Sequence, residues 1–158
     1  GSNLVILNYA ISDRNGEADF YFHDDSQMSS LSASENALLR RDFWNDNPDK
    51  IYSEKVAVRT LDDTLMDRMN ELVSGGMFLK IDTQGNEREV LAGSIKILPL
   101  VKYCLLEYMF QSPYNIRHSF VDILDFMESN GFGCKGPVHA SYRATHEPGA
   151  VLFLFIKN

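Results

Sequence analysis

The sequence predicts an α/β sandwich, a mostly parallel sheet covered on both faces by helices. Nearly continuous apolar runs read as strands buried on both sides, and amphipathic segments of helical period alternate with them. The third observation is bulk composition. The 158 residues are 44% hydrophobic and 23% charged, which suits one globular domain with a real core.

The elements follow in order. NLVILNYAI (3–11) is a β-branched apolar run that reads as a strand. After the turn signal SDRNG, EADFYFH sets Ala18, Phe20 and Phe22 in alternation and reads as its hairpin partner. The serine-rich stretch 24–34 is a loop, and Ser32-x-x-Glu35 offers a capping box for a helix to about Trp44, broken by NDNP. KVAVRTL (55–61) alternates as another strand. Thr60-x-x-Asp63 then caps a helix whose Leu65, Met66, Met69, Leu72 and Val73 share one face, ending at Gly75-Gly76.

MFLKID (77–82) is a strand, and Val90, Leu91, Ile95 and Leu98 have the spacing of a helix from Asn86 to Pro99, with Glu87 and Glu89 in its first turn. VKYCLLEYMF (101–110) is a strand. Ser119-x-x-Asp122 caps a helix that turns Phe120, Ile123, Leu124 and Met127 inward and stops at Gly131. GAVLFLFIKN closes the chain as a strand apolar on both faces.

Net charge is −7 and the 15 basic residues are scattered, which argues against a phosphate-backbone footprint, and no nucleic-acid partner is expected. No apolar run approaches the roughly 20 residues of a spanning helix, and no membrane partner is expected. Cys104 and Cys134 form no C-x-x-C; Cys104 reads as a small buried hydrophobe, and a reducing, cytoplasmic setting is the default. His23, His118, His139 and His146 have no metal-ligand spacing, so no metal is expected, and His23-Asp24-Asp25 reads as a solvated loop. GFGCKG (131–136) matches G-x-G-x-x-G but follows a helix instead of opening one, so it reads as a C-cap and a loop. Gly1-Ser2 looks like a protease scar, and the sequence is expected to be a piece of something longer.

The chemistry concentrates at two strand ends. In parallel sheets ligands bind outside the carboxyl ends of the strands. A strand apolar through Ile81 delivers Asp82 there, and Glu107 comes near the end of the next strand, so two carboxylates face one pocket. The plainer alternative is equally weighted: Asp82 braces the turn into the next helix, and Glu107 pairs with Lys80 or an arginine.

NYAISDRNGEADFYF, MSSL, VAVRTLDDTL, FLKIDTQGNEREVLAG and CLLEYMFQSPY, in that order, resemble the FkbM-type family of S-adenosylmethionine-dependent methyltransferases. The resemblance is strongest at KIDTQGNE-x-x-VLAG and covers nearly the whole chain from Asn3. It implies a Rossmann-like class I methyltransferase sandwich with a C-terminal antiparallel hairpin. Residues 3–11 would then be the third strand, 77–82 the fourth and 101–110 the fifth. The family's first two strands, with the glycine-rich turn that holds S-adenosylmethionine, are missing from this sequence. They would lie between the third and fourth, so the cofactor pocket would lack its floor. Direct pairing of the two bereft strands, or strand exchange in a homodimer, would compensate.

The resemblance also implies roles. Tyr9, Ala10 and Ile11 would pack the adenine, and Asp82 would face the sulfonium and the acceptor. Glu107 would join Asp82 in catalysis, with Gln84, Glu87 and Tyr114 on the substrate side; Glu87 as a helix stabiliser and Tyr114 as a packing aromatic are no less expected. The implied reaction is O-methylation of a small molecule or sugar. The alternatives are a non-catalytic interaction module derived from that fold, and a hydrolase using Asp82 and Glu107 as an acid/base pair, which would need a carboxyl titrating near neutrality.

Overall fold

The computed structural model describes residues 4–24, 26–33, 51–68, 76–142 and 148–158. The expected helix from Glu35 to Trp44 lies outside them, as do Met69, Leu72, Val73 and His146. The described residues form two sheets with short helices. The first has strand order β1-β3-β2, with β1 Ala10–Ile11, β2 Gly16–Phe22 and β3 Tyr52–Arg59. The second has order β4-β5-β7-β6, with β4 Met77–Ile81, β5 Val101–Met109, β6 Phe132–Tyr142 and β7 Pro148–Lys157.

The pairing departs from the mostly parallel expectation. Only β1 with β3 and β4 with β5 run parallel; β2 doubles back on β3, and β7 lies antiparallel between β5 and β6. The expected C-terminal antiparallel hairpin is that β6–β7 pair. Nor do β1 and β4, the strands expected to flank a gap, pair with each other; they sit in separate sheets.

In the first sheet the strand expected over 3–11 is reduced to two residues, and β2 is not its hairpin partner. Both pair with β3 instead, because the SDRNG segment is tied to the end of β3. Ser12 N donates to the Arg59 carbonyl at 2.9 Å, and the Asn15 side-chain oxygen accepts from Thr60 N at 2.9 Å. Residues 4–8 have no ladder partner among the described residues, and their apolar side chains are exposed: Leu4 is 82% and Ile6 84% exposed.

The main core lies under the second sheet, where Ile81, Cys104, Leu106, Phe153 and Phe155 meet Val90, Leu91, Ile97, Leu98, Ile123 and Met127. Cys104 is fully buried there, and burial pushes its thiol up to about 12. The opposite face of β4 and β5 is open. Phe78 is 60% exposed, so the near-continuous apolar run of β4 marks a strand buried on one side, not two.

Helix α1, Leu61–Leu65, starts where expected, with Asp63 N donating to the Thr60 hydroxyl at 3.1 Å. It passes into a 3₁₀ turn at Met66–Arg68, and Met66 faces solvent instead of sharing the inward face. Helix α2, Glu87–Ala92, ends well short of the expected Pro99. The cause is non-local. A Cβ on Gly93 would sit 2.1 Å from the Ser12 carbonyl oxygen, and buried Asp62 accepts the amides of Lys96 and Ile97 at 3.0 Å. The chain bends there, so Ile97 enters the core and Ile95 is left outside.

Helix α3, Phe120–Ser129, carries the full Ser119–Asp122 capping box and buries Ile123 and Met127. Gly131 takes the left-handed conformation (φ 79°) that ends it. GFGCKG is therefore no phosphate loop, yet no loop either: β6 begins at Phe132 and absorbs the sequence through a register shift between Cys134 and Gly136.

Candidate functional site

Strand register brings the two acids together. Ile81 pairs with Leu106 in the parallel β4–β5 ladder, so the next residues, Asp82 and Glu107, come side by side on the open face that also carries Phe78 and Lys80. The connection is made by the turn that follows. Gln84 has φ 55°, left-handed for a residue with a Cβ, and from there its amide nitrogen donates to Asp82 Oδ1 at 2.9 Å and Glu107 Oε2 at 3.1 Å. Lys80 Nζ donates to Asp82 Oδ2 at 2.7 Å. The lysine thus pairs with Asp82, not with Glu107.

These contacts divide the pair electrostatically. Partial burial opposes the ionised form of Asp82, but hydrogen bonds from Lys80, protonated Glu107 and Gln84 outweigh it and hold Asp82 below the usual carboxylate range. Among the described residues Glu107 has no cation of its own. Burial first, then the charge of Asp82, push its carboxyl up to about 7. Below neutrality the pair holds one proton, on Glu107, and gives it up as pH rises through about 7.

Glu87 lies behind this pair. It is 5% exposed, and its carboxylate accepts Thr83 N at 3.0 Å and Gly85 N at 3.1 Å, bracing the β4–α2 turn; burial raises its carboxyl above the ordinary value. Tyr114 is also buried and donates its hydroxyl to the Met28 carbonyl at 2.6 Å. Met28 in turn lines a cleft of about 530 Å³ with Asp82, Gln84, Glu107, Met109 and the residues 26–29. Asp82, Gln84 and Glu107 therefore share one cleft, with Tyr114 holding Met28 in its wall and Glu87 bracing the turn that carries Gln84.

Two serines in the 26–33 loop have long-range roles that the sequence does not show: Ser30, and Ser32, whose spacing to Glu35 reads only as a helix cap. Ser30 Oγ donates to the Gln84 carbonyl at 2.7 Å, and Ser32 Oγ to the Gly85 carbonyl at 3.1 Å. Their partners lie 54 and 53 residues away, so no local pattern signals them. His23, expected in a solvated loop, is buried with its ring 6.3 Å from that of Tyr114. The described residues contain no cluster of three or more metal-ligating side chains.

Tyr9 and Ala10 line a different groove, about 410 Å³, beside Phe20, Phe22 and Lys55, while Ile11 packs on the main core. No lining residue is shared between that groove and the Asp82 cleft. The anionic Asp82 has the right charge to face a sulfonium. Taken together, though, the described residues do not form one continuous cradle for S-adenosylmethionine. Asn86 is one link between the halves, its side chain donating to the Ile11 carbonyl at 2.9 Å.

In comparisons with known proteins, the model of the Methyltransferase FkbM domain matches residues 1–134 of the 158. No curated protein and no solved structure matches.

Proposed function

The chain belongs to the FkbM methyltransferase domain family, and from that premise we propose that the Asp82–Gln84–Glu107 cleft is the acceptor side of an O-methylation site for a small hydroxylic molecule or sugar. The observation that carries this reading is the acid pair itself, Asp82 and Glu107 bridged by the Gln84 amide within one cleft. A hydroxyl entering the cleft meets Asp82, which is ionised and orients it, and Glu107, which in its ionised fraction near neutrality takes the hydroxyl proton. Gln84 fixes the two carboxyls relative to each other. Most of the acceleration comes from that alignment, with proton transfer adding roughly 10²–10⁴-fold.

The methyl source is S-adenosylmethionine, as the family implies. Tyr9 and Ala10 would take the adenosyl part in their own groove, with Asp82 facing the sulfonium from its separate cleft. The near-neutral Glu107 would equally serve an acid/base hydrolase, which cofactor-free hydrolysis of a glycoside or ester would reveal. Family membership favours transfer.

The test is isotope-labelled methyl transfer by this chain from millimolar S-adenosylmethionine to a panel of hydroxylic acceptors. Label should appear in an acceptor oxygen, and Asp82→Asn should lower the rate about 100-fold with the fold intact. An unchanged rate in Asp82→Asn would reduce Asp82 to a brace.

A further inference from the structure

We infer that Ser30 is a positioning residue for the acid pair: its hydroxyl fixes the left-handed backbone of Gln84 from which the Gln84 amide bridges Asp82 and Glu107. This rests on the reading of that pair as the proton-handling site. Ser30 is 1% exposed and both functions of its hydroxyl are used. It donates to the Gln84 carbonyl at 2.7 Å, with the Thr83 carbonyl at 3.3 Å, and it accepts Ser32 N at 2.9 Å. The oxygen's orientation is therefore fixed. The Ser30 backbone is fixed too, exchanging hydrogen bonds with Tyr21 in β2 at 2.8 and 3.1 Å.

A left-handed glutamine costs about 1 kcal/mol and persists only where its surroundings over-determine it. Glycine would adopt φ 55° without strain, but it would bring no amide to the carboxyls. Ser30 supplies the constraint, and Gln84 converts it into two hydrogen bonds at 2.9 and 3.1 Å. The first sheet is thereby tied to proton sharing at the end of the second. The ionisable groups acting on the pair are Lys80 from β4 and Glu87 from α2. The loop, β6 and β7 line the cleft with Ser26, Gln27, Ser29, Ser141 and Ala150, all uncharged.

Carboxyl ¹³C NMR titration of this chain, labelled at glutamate, reads the effect without any catalytic assay. Gln84 favours the ionised forms, so Ser30→Ala should raise the pair's upper titration midpoint by about half a pH unit. Gln84→Gly should raise it at least as far, and the double variant no further than Gln84→Gly. Ser32→Ala, which loses a similar hydrogen bond to the same turn, should leave the midpoint in place. A folded Ser30→Ala with the wild-type midpoint would overturn the inference. So would a wild-type midpoint in Gln84→Gly, a variant compatible with the turn, which keeps the question open to test if Ser30→Ala does not fold. Failure of methyl transfer alone would overturn the functional reading and leave these titrations to decide the role of Ser30.

Discussion

Glu107 keeps its proton up to about pH 7, whereas an exposed glutamate loses it near 4.5, and the cause is half-burial beside an ionised Asp82 that owns the nearby lysine. The sign of the consequence is fixed by linkage. Between those two values the folded chain binds more protons at Glu107 than the unfolded chain does, so this contribution to stability falls as pH rises through about 7. Asp82 works oppositely: its lowered value adds stability above the ordinary aspartate range that is lost as pH falls through its folded-state value. Glu107→Gln should therefore stabilise the chain by about 1 kcal/mol at pH 8, after allowance for solvent screening, and by much less at pH 5. Urea midpoints at the two pH values check this; equal gains at both would mean that packing, not charge, sets the cost.

Among the elements, the local ones were readable and the non-local ones were not. The Ser119–Asp122 box formed as spaced because a cap needs only residues three apart. Asp82 and Glu107 met because period-2 alternation fixes a face and parallel pairing fixes the neighbour. Helix α2 was read too long because its end is dictated by Ser12, 81 positions before Gly93, where no spacing rule reaches. Gly93→Ala should accordingly cost about 3 kcal/mol, since the clash is with a backbone oxygen that cannot swing away. Thermal melts would show it, and a loss below about 0.5 kcal/mol would mean that the α2 and Ser12 backbones part easily.

For the whole molecule the decisive feature is that its two sheets meet through side chains and turns, not through a strand ladder. Asn86 reaches Ile11, and Ser30 and Ser32 reach the β4–α2 turn, while Leu4–Leu7 and Phe78 remain exposed. The sequence signalled both strands but not their separation, because apolar residues predict burial without naming the partner. Because Tyr9 and Ala10, proposed for the adenine, and Asp82, proposed for the sulfonium, line separate grooves, the chain should bind S-adenosylmethionine no tighter than millimolar. Titration calorimetry with this chain checks that, and micromolar binding would contradict it.

The proposed function and the role of Ser30 both depend on coupling between Asp82 and Glu107, and the carboxyl titration of Glu107 in wild type and Asp82→Asn measures it directly. The account predicts a wild-type midpoint of about 7 that moves down when the Asp82 charge is removed. A glutamate titrating near 4.5 in both proteins would show that the pair is not coupled and that the cleft holds no near-neutral acid.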